Sequence, residues 1–172
     1  MTFNPKVSRE MFLQFVDRSQ GQMVDATVVG ISDCNLLHYV ADRSSQLRRL
    51  ELVFYIYLHE RLSEAFEKLS TIGGISLVRS DISEENIEAA GCYCPLLKTL
   101  KVNQKRSGLA DISDADDELI TFVNRIALAI GKNLPELTHL ELNGSCRPFW
   151  MVVVILNHLT CVAAFTLILR ET

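Results

Sequence analysis

The sequence predicts an α/β leucine-rich-repeat solenoid: a right-handed superhelix with parallel strands on its concave face and helices on its convex face. Three observations predict it. The apolar pattern Leu97-x-x-Leu100-x-Val102 recurs as Leu47-x-x-Leu50-x-Leu52, Ile72-x-x-Ile75-x-Leu77 and Leu137-x-x-Leu140-x-Leu142. Its starts at Leu47, Ile72 and Leu97 are 25 residues apart by subtraction. After each copy the apolar spacing changes from period 2 to period 3 or 4, the change from strand to helix. Such a unit cannot bury its apolar face alone, so units must stack.

Taken in order, residues 1–22 read as a capping lead-in, with Phe12, Phe15 and Val16 on one helical face, followed by the polar run Asp17 to Gly21. A cap is needed because the first layer of a solenoid would otherwise open its leucines to water. Residues 23–172 then hold about five or six repeats, counting two weaker echoes, Val24-x-x-Thr27-x-Val29 and Val162-x-x-Phe165-x-Leu167. Leu62, Ala65, Phe66 and Leu69 mark the helix after the Leu47 strand; Leu119, Phe122, Val123, Ile126 and Ile130 mark the helix after the Leu97 strand. Ser83 before Glu84 and Glu85 opens a helix, because a serine cap and first-turn acids satisfy the free N–H groups and the positive helix end. Gly91 and Gly131 lie near helix stops, where a left-handed residue is wanted. The polar stretch Gln104 to Asp117 reads as a loop inserted between the strands that start at Leu97 and Leu137. Insertions of this kind lie on one face of a solenoid, often the binding face.

Composition narrows the function classes. A chain of 172 residues, 48% hydrophobic and 22% charged, is in the globular range of one domain. The net charge of -4 and the lack of any basic block longer than Arg48-Arg49 or Lys105-Arg106 argue against a general nucleic-acid surface, which concentrates positive charge against phosphates. A protein partner is expected instead. Lys6, Arg9 and Glu10 with no apolar run among the first residues predict no secretory segment, hence a cytoplasmic or nuclear chain. The odd, scattered set Cys34, Cys92, Cys94, Cys146 and Cys161 suits reduced thiols better than a disulfide framework.

Several segments together resemble a known family. Asp17-Arg18-Ser19-Gln20-Gly21-Gln22, then Leu36 to Leu50, then Cys94-Pro95-Leu96-Leu97-Lys98-Thr99-Leu100-Lys101-Val102-Asn103-Gln104, and finally Asp116-Asp117-Glu118 with Leu134-Pro135-Glu136-Leu137-x-His139-Leu140, are similar in order to plant F-box/leucine-rich-repeat proteins. The resemblance implies the target-recognition half of an SCF-type ubiquitin ligase receptor, in which an F-box docks on the Skp adaptor and the repeats hold the target. Two departures stand beside it. Met1 to Val16 is too short for an F-box, so this chain alone is not expected to dock on the adaptor. The ninth repeat position, usually Asn or Cys, is Tyr55, Ser80, Lys105 and Ser145, so side-chain bonding along the turns should be less regular.

Alternation across a strand turns the residues between the leucines away from the core. The expected partner-binding face is therefore Arg49, Glu51, Ser76, Thr99, Lys101, Asn103, His139, Glu141 and Asn143, with Val53, Gly74 and Val78 among them. The same alternation would also describe a merely solvated face. Leu50, Leu52, Leu77, Leu97, Leu100, Leu140 and Leu142 form the core ladder.

Other chemistry is not expected. Cys92-x-Cys94 lacks a second close ligand pair for zinc, with only His139 or Cys146 to complete a set, and a buried structural thiol is the simpler reading. Those residues show no orienting acid for a nucleophile pair, so no catalytic residue, cofactor or metal is assigned. From Asp111, a calcium loop would need Gly and Glu where Asp116 and Phe122 stand. Phe149 to Leu169 contains no Asp, Glu, Lys or Arg and has the length of a membrane span, but Asn157 and His158 near its middle favour a final repeat. The alternative is a truncated or self-associating structural repeat protein, attached to a membrane or to another chain through that run.

Overall fold

A computed structural model describes residues 9–29, 34–54, 59–80, 82–104, 116–144 and 166–170; for 9, 34, 59–61, 104, 116–124, 142–144 and 166–170 it describes the backbone alone. Strands and helices alternate: α1 (Arg9–Arg18), β1 (Asp25–Val29), α2 (Cys34–Arg43), β2 (Arg49–Val53), α3 (His59–Phe66), β3 (Gly74–Val78), α4 (Glu84–Tyr93), β4 (Thr99–Gln104), α5 (Asp116–Asn133), β5 (His139–Gly144) and β6 (Thr166–Arg170). The six strands form one parallel sheet in chain order. Helices pack beside helices along one side of it, α1 on α2 through α4 on α5.

The leucine pattern sets the rungs. Leu50, Ile75, Leu100 and Leu140 are register partners in sequence, as are Leu52, Leu77, Val102 and Leu142. The described side chains in both rows are buried, together with Leu47, Ile72, Leu97 and Leu137 at the first repeat position. Each such side chain contributes about 1.5–3 kcal/mol on burial. Leu36, Leu37, Val40, Leu62, Ala65, Phe66, Ile87, Ala90, Ile126 and Ile130 close the core from the helix side. The side chains of Leu142, Leu119, Phe122 and Val123 lie outside those described.

Both end repeats differ from the sequence expectation. At β1 the partners of Leu50 and Leu52 are Ala26 and Val28, so the repeat runs Met23-x-x-Ala26-x-Val28. Met23, Ala26 and Val28 are buried, while Val24 is 46% exposed. The expected Val24-x-x-Thr27-x-Val29 was one residue late, and a one-residue slip reverses every side chain on a strand. At β6 the partner of Leu140 is Leu167 and that of Leu142 is Leu169. There the expected Val162-x-x-Phe165-x-Leu167 is two residues early, which preserves the facing of Leu167 but not its rung.

Local determinants explain the helix ends. Ser83 caps α4: its Oγ accepts from the Asn86 N–H at 3.3 Å, and Asn86 Oδ1 accepts from the Ser83 N–H at 3.0 Å. Asn86 is buried and its Nδ2 also donates to Ser63 Oγ at 3.0 Å, tying α4 to α3. Gly91 is not a stop: it lies inside α4, which ends on Cys94 at φ -115°. A Cβ there would stand 2.3 Å from the Asn133 carbonyl oxygen, so glycine is required by the approach of the end of α5. Gly131 likewise lies inside α5. In α1, Phe12 and Val16 are buried but Phe15 is 38% exposed, which narrows the expected face.

Neighbouring repeats are joined by a recurring backbone device. The N–H groups of Arg48 and Arg49 share the Val24 carbonyl, those of Gly73 and Gly74 share Arg48, those of Lys98 and Thr99 share Gly73, and those of Thr138 and His139 share Lys98. Each strand therefore starts level with its predecessor. Polar pairs join the helices: Asp17 accepts from Tyr39 and Arg43 at 2.7 and 2.6 Å, Lys68 meets Asp42 at 2.5 Å, His38 faces Glu64 at 3.0 Å, and Arg125 pairs with Glu84.

Of the inserted stretch, Gln104 ends β4 and Asp116 and Asp117 begin α5; the residues between lie outside those described. Among the described residues no helix is long and apolar enough to cross a membrane. Of the apolar run from Phe149 to Leu169, residues 166–169 lie in β6 and the rest lie outside the described residues.

Candidate partner-binding face

Three rows of register partners run across the sheet, and those of their side chains that are described lie on the face opposite the helices. The first holds Asp25, Arg49, Gly74, Thr99, His139 and Thr166; the second Thr27, Glu51, Ser76, Lys101, Glu141 and Ile168; the third Val29, Val53, Val78, Asn103, Asn143 and Arg170. All nine sequence-predicted residues, Arg49, Glu51, Ser76, Thr99, Lys101, Asn103, His139, Glu141 and Asn143, occupy these rows. Arg49 and Lys101 are exposed, and Glu51, Ser76, Thr99, Asn103, His139 and Glu141 are half-buried. The Asn143 side chain is not among those described.

The charges on this face are organised in pairs. Arg49 Nε and Nη2 donate to Asp25 Oδ1 and Oδ2 at 2.6 and 2.7 Å, a two-point contact that matches guanidinium to carboxylate. That bond holds the Asp25 carboxyl below its usual value against burial, which comes next in size and opposes it, with the Arg49 charge adding to the lowering; the same bond raises Arg49. Glu51 accepts from Thr27 Oγ1 at 3.1 Å and from Ser76 Oγ at 3.3 Å, so one carboxylate spans three strands. Lys101 Nζ meets Glu141 Oε2 at 3.0 Å. Gly74 leaves ordinary contact space between Arg49 and Thr99, a Cβ there lying 3.6 Å from each.

Sequence reading missed eight members, of which Thr166, Ile168 and Arg170 of β6 are described by their backbone alone. Asp25, Thr27 and Val29 were lost to the slip at β1, although Met23 with Ala26 and Val28 offers the alternative register. Phe54 and Arg79, directly after β2 and β3, are exposed non-glycine residues at φ 60° and 51°. The Arg79 guanidinium stacks 5.0 Å from the Phe54 ring centre. Their signal is positional, because Gly30 and Gly144 stand at the same place after Val29 and Asn143.

Burial separates the two cysteines. Cys94 is buried with its Sγ 3.9 Å from the Phe66 carbonyl, and burial pushes its thiol up to about 12; Cys92 is exposed. Among the described residues no group of three His, Cys, Asp or Glu could hold a metal. At the ninth repeat position, Ser80 is buried and donates to the Leu52 and Val78 carbonyls at 3.2 and 3.1 Å. Its counterparts Tyr55, Lys105 and Ser145 lie outside the described residues.

F-box/LRR-repeat protein 9 of Arabidopsis thaliana is 34% identical over 129 residues, which are 74% of this chain and 48% of that protein. F-box/LRR-repeat protein 22 of the same plant is 36% identical over 129 residues, 74% of this chain and 38% of that protein. This chain is a relative of the plant F-box/leucine-rich-repeat proteins. It spans less than half the length of these curated relatives. No family profile matches the chain. Among solved structures, the tropomodulin C-terminal domain of Caenorhabditis elegans superposes with a TM-score of 0.53 at 8% identity, over 89% of this chain and 92% of that one. At that identity the likeness establishes the leucine-rich-repeat type of fold and nothing about function.

Proposed function

We propose that this chain is a non-enzymatic interaction module whose open sheet face holds a target protein, supplying target recognition to an SCF-type ubiquitin ligase receptor in the cytoplasm or nucleus. The observation that carries the reading is the continuity of the three rows across six strands. Polar and charged groups are held there at fixed spacing on a rigid sheet, which is how a scaffold presents a recognition surface. The F-box relatives support the ligase setting. Protein degradation is then the process served, with ubiquitin transfer performed by other subunits, and neither membrane nor nucleic acid is required.

The test is capture of binding proteins from plant extract by the purified chain. Replacing Arg49, Lys101 and Glu141 together by Ala should abolish capture without changing the circular dichroism spectrum, whereas Lys132→Ala, exposed on α5, should leave it intact. Undiminished capture by the triple variant would move the binding surface off the sheet. Co-precipitation with the Skp adaptor is a separate measurement.

A further inference from the structure

The ends of β2 and β3 carry two bulky residues in the left-handed backbone region. A bulky side chain at positive φ is strained, and glycine is the usual occupant. At the equivalent register position Gln104 and Gly144 continue β4 and β5 as paired strand, whereas Phe54 and Arg79 leave β2 and β3 at φ 60° and 51°. Neither is loose. The Phe54 N–H donates to the Val78 carbonyl at 2.9 Å, and the Arg79 N–H donates to the Asn103 carbonyl at 2.6 Å, so each is pinned by the next strand. Strain held by surrounding structure and directed into solvent points to function.

We propose that Phe54 and Arg79, with Val53 and Val78, form the anchoring subsite for the target, and that the subsite takes a peptide segment in which an acidic side chain stands beside an apolar one. The inference rests on the open sheet face being the target-binding surface and names the chemistry that face selects. Arg79 is exposed, stacks on Phe54, and has no carboxylate partner among the described residues, whereas Arg49 and Lys101 are each committed to an acid of the sheet. One planar guanidinium presents a fork that fits one carboxylate. Beside it, Val29, Val53 and Val78 make a half-buried apolar row without charge, and the Phe54 ring stands 45% exposed at its rim. Glu51, on the middle row, sets the direction. It lies three residues before Phe54, roughly 10 Å along a strand, so the incoming acid is repelled from the middle row and attracted to the rim.

The test uses the full chain and an array of octapeptides containing Asp-Leu, Glu-Leu, Asp-Phe or Glu-Phe, each beside counterparts with Asn, Gln or Lys in place of the acid. The wild-type chain should bind the acidic members roughly tenfold more tightly than their amide counterparts, the size of one charge-assisted contact. Arg79→Gln should erase that difference while leaving apolar preference. Phe54→Gly should weaken binding to all four acidic types without lowering the thermal midpoint, since it removes an exposed ring and relieves the left-handed backbone. Equal binding of acid and amide peptides, binding of none, or an acid preference that survives Arg79→Gln would overturn the subsite. Loss of extract capture by the Arg49, Lys101 and Glu141 variant reads the face separately, so a negative array beside a positive capture result rejects this inference alone.

Discussion

Arg49 closes on both carboxylate oxygens of Asp25 across the first two strands, at 2.6 and 2.7 Å. The contact joins an expected member of the face to one that only the true register reveals. Because the Asp25 carboxyl is lowered in the fold, its contribution to stability is present above its unfolded value near 3.8 and is lost as pH falls through the folded one. The pair is exposed, so the contribution is small. Asp25→Asn should lower the urea midpoint slightly at neutral pH, and the gap to wild type should shrink as pH falls below 3.8 and vanish once the folded carboxyl is protonated. A gap that persists in acid would mean that shape, not charge, is what Asp25 supplies.

Gly91→Ala tests the approach of α5 to α4. Alanine favours a helix over glycine by up to about 1 kcal/mol. Here its Cβ would meet the Asn133 carbonyl oxygen at 2.3 Å, and relieving that overlap should cost about 1–3 kcal/mol net. Gly73→Ala, which meets nothing nearer than 3.6 Å, should stay within about 0.5 kcal/mol. Equal urea midpoints for the two variants would contradict the close approach.

The Asn86 side chain reaches both Ser83 and Ser63. Ser83→Ala should cost about 1 kcal/mol, the usual value of a cap. Asn86→Ala also strips the bond to Ser63 from a buried site and should cost about 1–3 kcal/mol. If the second variant proves no less stable than the first, the link from α4 to α3 has no energetic weight.

The two cysteines of α4 and its cap should separate under alkylation. With its thiol raised to about 12 by burial, Cys94 stays neutral and unreactive; the stability tied to that neutral form persists below its unfolded value and fades only as pH climbs toward 12. Peptide mass spectrometry after iodoacetamide treatment near neutral pH should find Cys92 modified first, and Cys94 only after denaturant is added. Simultaneous modification would show that the end of α4 opens readily.

Much of this was legible from residue spacing, and what was not has physical causes. The four central strands were readable because leucine or isoleucine marks the first repeat position and only one register buries all of them. At β1 both Val24, Thr27, Val29 and Met23, Ala26, Val28 satisfy an alternating pattern, and the choice is made by pairing with Arg49 to Val53. At β6 a long apolar run leaves several rungs equally plausible, and again only pairing decides. Gly91 looked like a helix stop because its neighbour, Asn133, is distant in sequence. The open rows followed from alternation once the register was known, but pairing within them, such as Glu51 with Thr27 and Ser76, depends on which strands adjoin. Phe54 and Arg79 lay one residue beyond the strands, outside the alternation rule.

Thr99 meets His139 across 40 residues by subtraction, yet Leu100 with Leu140 and Lys101 with Glu141 follow in the same order that Leu50 with Ile75 and Glu51 with Ser76 follow across 25. The pitch of the sheet is thus indifferent to how much chain is spent between rungs. Since each strand pairs only with the next, there is no ring to close and no circumference to conserve. The chain between Gln104 and Asp116 is therefore a splice point, where foreign sequence can be carried while the pairing of β4 with β5 stays as it was.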